Sequence, residues 1–358
     1  MNDLARGIAR DRKRLSSAFN DVLDSGYVVM GPKHSAFQTA LAEYLGVTHV
    51  LGVASGTDAL ELAIKTVMPE GKDTVVTAAN AGGYASVATK RAGYRVRYAD
   101  VDADTLCMNL ETLKPVLADD IGVVVVTHLY GNLTDITELV SYCHERGIRV
   151  VEDCAQAIGA RLEGKAAGSF GDIAATSFYP TKNLGAVGDG GAIATSNDDF
   201  ARRVSLLRQY GWTSKYHVTV ASGTNSRLDE LQAAILLARL PLLDGFNERR
   251  REIIARYADA AQGGPLRVLP AIGVHHVAHL AVALAPDRDA ARAALTVHGV
   301  QTDIHFPVAD HMQSGFEADA QSLPITERLS KEVLSLPCFP ELTDEEISYV
   351  CAAIESLK

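Results

Sequence analysis

The stretch Gly164–Ile193, GKAAGSFGDIAATSFYPTKNLGAVGDGGAI, decides how the chain is read. IAATSF (Ile173–Phe178) predicts a strand, because β-branched and aromatic residues occur in it and Gly171 and Asp172 precede it. Pro180, Gly185, Gly188, Gly190 and Gly191 follow, so the backbone must turn sharply there. AIAT (Ala192–Thr195) predicts the next strand. Lys182 therefore falls on a connection between two strands, where a rigid scaffold presents a side chain to a cleft. Among glycines and apolar groups its amine is partly desolvated, which depresses its pKa and favours nucleophilic chemistry. A lysine in a glycine-rich hairpin is ordinarily no more than a loop residue, so the rest of the chain has to carry the reading.

Strand and helix alternate upstream. HVLGVA (His49–Ala54), TVVT (Thr74–Thr77), RVRYADV (Arg95–Val101), GVVVVTH (Gly122–His128) and IRVVED (Ile148–Asp153) predict strands. Helices are predicted over 8–23, 35–45, 58–67, 136–145 and 198–210 from apolar residues at helical spacing. Near-continuous Val/Ile runs separated by helices imply a mostly parallel sheet buried on both faces, an α/β fold. Such sheets bind ligands beyond the carboxyl ends of their strands.

Three chemically suggestive features fall near those ends. Ser55–Thr57 opens a helix, whose free amides and positive dipole end suit a phosphate; Asp58-x-x-Glu61 also fits a capping box needing no ligand. Asp153 ends a buried strand, and a buried carboxylate needs a partner, whether a ligand cation, a nearby base or the amides of the next turn. Tyr84 follows two glycines and reads as a ring at a site or as a packing residue.

Beyond residue 210 the pattern loosens. Residues 228–261 predict helix with breaks near Pro241 and Gly245, and QGGP (Gln262–Pro265) a linker. HVAHLAVAL (His276–Leu284) predicts a strand, and 287–298 and 344–356 predict helices. The expected division is a large domain over 1–245 and a smaller α/β domain over 246–358.

Composition bounds the function. Of 358 residues, 47% are hydrophobic and 22% charged, enough for a sizeable core. The net charge of −10 argues against non-specific nucleic-acid binding. Five cysteines with no metal-like spacing read as reduced thiols, and no metal site is expected. The charged MNDLARGIARDRKRL terminus lacks the apolar run of a secretory signal, and no stretch is long and apolar enough to span a membrane. A cytoplasmic protein is expected.

SFYPTKNLG followed by GDGGA closely resembles the cofactor-lysine segment of the DegT/DnrJ/EryC1/StrS aminotransferases, pyridoxal-phosphate (PLP) enzymes that aminate nucleotide-linked keto-sugars. SGYVVMGP (Ser25–Pro32), SGTDA (Ser55–Ala59), EDCAQAIGA (Glu152–Ala160), NSRLDELQAA (Asn225–Ala234) and GVQTDIHFPVADHMQ (Gly299–Gln313) resemble further family segments, in family order. The resemblance implies a fold-type I aminotransferase. In it Lys182 binds PLP as a Schiff base, Asp153 holds the pyridine nitrogen protonated, and Gln156 lies near the phenolic oxygen. Thr57, Asp58 and Ser177 would hold the phosphate, joined by Asn225 of the neighbouring subunit of a homodimer. A helix cap or turn is the plainer reading of Asn225. Tyr84 would supply the stacking ring, in a shifted register. Arg227 is a candidate for an anionic substrate group, and His305 and His311 for the sugar-nucleotide cleft, although histidines are more often structural. Cys154 stands where the family commonly has alanine.

The resemblance also implies an amino-acid donor, L-glutamate by family habit. QYGWTSKY with GTNSRLDELQAA is more similar to enzymes of 3-keto-6-deoxyhexoses than of 4-keto sugars, so a dTDP-3-keto-6-deoxyhexose is the expected acceptor. A 4-keto-hexose aminotransferase and a non-catalytic, regulatory PLP-binding relative are the alternatives. Lys182 argues against the family's dehydratases, which carry histidine in its place.

Overall fold

The computed structural model describes residues 2–319 and 321–358. Its centre is a seven-stranded sheet. The strands are β1 (His49–Val53), β2 (Thr74–Ala78), β3 (Arg95–Ala99), β4 (Ile121–Thr127), β5 (Arg149–Asp153), β6 (Ile173–Ser177) and β7 (Gly191–Thr195). Their order is β1-β7-β6-β5-β4-β2-β3, and only β7 runs antiparallel to its neighbours. Near-continuous apolar runs explain burial on both faces. Leu51, Val53, Val75, Val123, Val125, Val151 and Ile173 pack on one side with the helices Gly56–Val67 and Asp198–Leu207. Val76, Val124, Val126 and Val150 pack on the other with Leu139 and Cys143 of the helix Thr137–His144. On that same side Val50, Ala174, Ala192 and Ala194 meet the helices Pro32–Leu45 and Glu230–Arg239. Each fully buried Val or Ile contributes about 1.5–3 kcal/mol.

The direction of β7 positions the lysine. β1, β4, β5 and β6 all end at one edge of the sheet, and the chain leaving β6 must turn back there to enter β7 antiparallel. Lys182 lies on that turn. Gly191 is required at the start of β7, because a Cβ there would lie 2.4 Å from the Ser55 carbonyl oxygen.

Two buried carboxylates tie loops to this frame. Glu152 accepts from the amides of Gly168, Phe170 and Gly171 at 2.7–2.8 Å and shares a 3.0 Å contact with His128. Burial alone pushes its carboxyl up, but His128 and the amides overcome this and hold it below the ordinary value. Glu230 accepts from the amides of Gly31, Lys33 and His34, capping the helix Pro32–Leu45 from a distant part of the chain. Such charge-assisted bonds contribute about 1.5–3 kcal/mol each.

Residues beyond 243 build a three-stranded antiparallel sheet of Arg267–Val268, Ala281–Leu284 and Val333–Leu336. The helices Leu243–Ala261, Arg288–Val297 and Asp344–Glu355 accompany it, around a core including Tyr257, Leu334 and Ile347. The expected break at Pro241 is a single 3-10 turn, Leu240–Leu242, whereas Gly245 lies inside an unbroken helix. That helix runs through the expected 245/246 division. The strand expected over 276–284 is confined to Ala281–Leu284, because Ala278 adopts a left-handed φ of 50° and turns the chain before it. The helix Tyr84–Ala92 was not foreseen. All five cysteines are free thiols, and no helix among the described residues is long and apolar enough to cross a membrane.

Candidate active site

A cavity of about 500 Å³ opens at the carboxyl ends of the strands. Thr57, Tyr84, Asp153, Gln156, Ser177, Lys182 and His305, all singled out from the sequence, line it.

Lys182 comes from the β6–β7 turn, held by its own amide donating to the Tyr179 carbonyl at 2.8 Å. Burial lowers its amine to about 8, and the charge of Asp153 opposes this only in part. A substantial fraction is then neutral near physiological pH, as a nucleophile or base requires. Asp153, the last residue of β5, is 5% exposed. Burial raises its carboxyl above the ordinary value, against the Ala155 amide at 3.0 Å, Lys182, His128 and the Thr127 hydroxyl at 3.4 Å. Its carboxylate is thus short of positive partners and suited to a cationic N–H.

The turn after β1 forms the opposite wall. Ser55 is the N-cap of the helix Gly56–Val67, its hydroxyl accepting from the Asp58 amide at 3.1 Å. The capping box considered for Asp58 and Glu61 does not form, since the helix already includes both. Gly56 packs so closely on Ser177 that a Cβ would stand 2.6 Å from the serine Cβ. Amides of a helix start are therefore brought against a serine hydroxyl, an arrangement suited to a phosphate. Asp58 itself is not on the cavity wall. Its carboxylate accepts from Ser226 Oγ at 2.8 Å and from Arg91 at 3.0 Å.

Gln156 Oε1 accepts from the Tyr130 amide at 2.7 Å, leaving its Nε2 as the free donor. The Tyr84 ring is half exposed at the cavity mouth, edge-on to Phe306 with centroids 6.0 Å apart. His305 shares a 3.0 Å hydrogen bond with Ser335, and burial lowers its pKa. His311 is buried elsewhere, 3.3 Å from Glu327 and beside the Tyr98 ring. Asn225 and Arg227 line a separate recess, which meets the main cavity at Asp189. Sequence reasoning missed His279, which lines the cavity and is 7% exposed. It was hidden inside a segment read as one strand.

PLP fits these residues: an amine, a buried carboxylate short of cations and a helix-start turn packed on Ser177 surround one cavity. The sequence model of the DegT/DnrJ/EryC1/StrS aminotransferase family matches residues 9–355. The chain is 37% identical to a UDP-N-acetyl-3-dehydro-alpha-D-glucosamine 3-aminotransferase of Acidithiobacillus ferrooxidans, over 99% of this chain and 96% of that protein. It is also 37% identical to a dTDP-3-amino-3,4,6-trideoxy-alpha-D-glucose transaminase of Micromonospora megalomicea, over 97% and 96%. The crystal structure of DesV from S. venezuelae, in complex with a ketimine intermediate, superposes with a TM-score of 0.95 at 34% identity, covering 99% of this chain and 96% of that one. The chain belongs to the DegT/DnrJ/EryC1/StrS family and is a pyridoxal-phosphate-dependent sugar aminotransferase.

Proposed function

We propose that the chain transfers the amino group of L-glutamate to the 3-keto carbon of a nucleotide-linked hexose, with a dTDP-linked 3-keto-6-deoxyhexose as the preferred acceptor. The observation that carries the site chemistry is Lys182, whose lowered amine shares one cavity with buried Asp153. Position C3 is supported by the two relatives above, whose names both place the nitrogen at C3. One takes a UDP-linked and the other a dTDP-linked sugar by name, so the dTDP preference rests on the resemblance of GTNSRLDELQAA and QYGWTSKY.

PLP, when bound, supplies a carbonyl carbon that takes up and passes on an amino group, and a ring that draws off electron density from the reacting carbon. In this reading the amides of Ser55–Thr57 and the Ser177 hydroxyl bind the phosphate. Asp153 holds a proton on the ring nitrogen. Gln156 donates from Nε2 toward the ring oxygen, and Tyr84 covers the ring face. Lys182 Nζ would hold the cofactor and would serve as the base for the proton on the donor's Cα. His305 faces the sugar.

The test is a panel of dTDP-, UDP- and GDP-linked 3-keto and 4-keto sugars, each with glutamate. The dTDP-3-keto-6-deoxyhexose should give the highest kcat/KM, about tenfold or more above its 4-keto isomer. A higher value for any 4-keto sugar overturns the position assigned.

Asn225 and Arg227 lie outside the Lys182 cavity of their own chain, Asn225 exposed and Arg227 half-buried in the recess that opens beside Asp189. We assign them to the site of a second copy of the chain in a homodimer. Mixed dimers of Lys182→Ala and Asn225→Ala check this. In a hybrid, one site carries both lesions and the other is intact. Random exchange makes about half the dimers hybrid, so activity should recover to about a quarter of wild type. A mixture no more active than the parental average, with exchange confirmed by mass, rejects the shared site.

A further inference from the structure

The hydrogen-bond network behind His279 fixes where its proton sits. Asn247 Nδ2 donates to the Ile158 carbonyl at 3.2 Å, so Asn247 Oδ1 is the atom facing Asn183. Asn183 Nδ2 donates to that oxygen at 2.7 Å and to the Val277 carbonyl at 2.8 Å. Both carbonyl oxygens can only accept, which sets the orientation of both amides. Asn183 Oδ1 is then left 2.9 Å from His279 Nδ1. An amide oxygen cannot donate, so Nδ1 carries the hydrogen and the lone pair of the neutral ring is on Nε2. The links are buried, with Asn183 7% and Asn247 2% exposed. Burial first, then the Lys182 charge, hold His279 well below its ordinary pKa. The ring lines the cavity, no hydrogen bond is made to Nε2 among the described residues, and Lys182 is the only lysine or arginine on the described wall.

We propose that His279 is a positioning residue for Lys182: its Nε2 lone pair accepts a hydrogen bond from Lys182 Nζ when that amine is free of cofactor, and aims it at the reacting carbon. Asn183, the neighbour of Lys182 in sequence, anchors the ring and so couples the lysine turn to its own acceptor. The other titratable groups on the wall are Asp153, Asp189, Tyr84, Tyr179 and His305, with Arg250 behind His279 donating to its carbonyl at 3.2 Å. The proposal rests on Lys182 as the cofactor lysine.

Two substitutions separate positioning from structural support. His279→Asn puts an amide nitrogen where Nδ1–H was, keeping the link to Asn183 and removing the acceptor. His279→Gln puts an amide oxygen near the Nε2 position and gives up that link. PLP uptake by the apo-protein, followed by absorbance across pH ~6–10, reads the free amine directly. In wild type the rate should rise with pH through about 8 to a plateau. Hydrogen bonding to the ammonium favours it, so His279→Asn should lower that midpoint by about 0.5 or more. Its plateau and its single-turnover rate with glutamate should fall about 10-fold or more, because the amine is no longer oriented. His279→Gln should stay within about 2-fold of wild type in both rates while melting lower than His279→Asn. Wild-type midpoint and rates in His279→Asn, or an equal or larger loss in His279→Gln, overturn the role. Borohydride trapping and peptide mapping keep the premises apart. An adduct on another lysine overturns the Lys182 assignment and this role with it, whereas an adduct on Lys182 with unaltered His279→Asn kinetics overturns this role alone.

Discussion

Lys182→Ala should reduce amino transfer by about 10⁴-fold or more, since it removes both the cofactor's covalent attachment and the group that moves the proton. The fold should survive. Burial disfavours the Lys182 charge and Asp153 offsets this only in part, and the turn that carries the lysine is held by backbone bonds. Thermal unfolding of the apo-variant should therefore match or exceed wild type. Borohydride treatment of wild type should fix the cofactor to Lys182 and leave the visible chromophore bleached. An adduct mapped to another lysine, or single-turnover rates within about 10-fold of wild type in Lys182→Ala, rejects the assignment.

Asp153→Asn should slow the half-reaction with glutamate by about 10²–10³-fold, because a neutral amide cannot stabilise a proton on the ring nitrogen. Stability should move the other way in the apo-protein. Burial raises the Asp153 carboxyl above its unfolded value, so its contribution is fully present below the unfolded pKa and is lost as pH rises through the folded pKa. At neutral pH the ionised form is thus a burden on the apo-fold, which the isosteric amide relieves. Apo Asp153→Asn should melt at or above wild type at pH ~7, and the difference should shrink toward pH ~3. Saturation with PLP should raise the melting temperature of wild type more than that of the variant. Near-normal half-reaction rates, or equal stabilisation of both proteins by cofactor, would remove Asp153 from this role.

Local chemistry made the frame legible. Valine runs separated by helical spacing lead to a parallel sheet, and strand ends at Asp153 and Ser177 bring those residues to one edge. What stayed hidden depended on partners far along the chain. The Asp58 carboxylate meets Arg91 and Ser226, neither of which can be inferred from the SGTDA string. The Glu230 carboxylate caps a helix about two hundred residues upstream, so a string read for function also has a structural task. His279 escaped notice because HVAHLAVAL alternates like one strand, while a left-handed Ala278 splits it into a cavity wall and a true strand. The resemblance of GVQTDIHFPVADHMQ points to both His305 and His311 for the cleft, yet the chain between them turns His311 toward Tyr98. Tyr84 follows Gly82 and Gly83, both at positive φ, and the turn they make is what starts the unforeseen helix.

The position of β7 also dictates when the protein can become an enzyme during synthesis. β1 is an edge strand whose only neighbour in the sheet is β7, with His49 paired to Thr195. The ribosome delivers β1 early, but its partner arrives only after β2 through β6 have been made. Until then the turn at Ser55–Thr57 has no Gly191 against it. Closing so long a loop is slow, and the waiting edge is open to wrong pairing. A nascent chain halted before residue 191 should therefore carry most of the sheet and Lys182 itself, yet lack the assembled pocket. Cofactor capture becomes a late event in biogenesis, coupled to the insertion of β7 beside the edge strand.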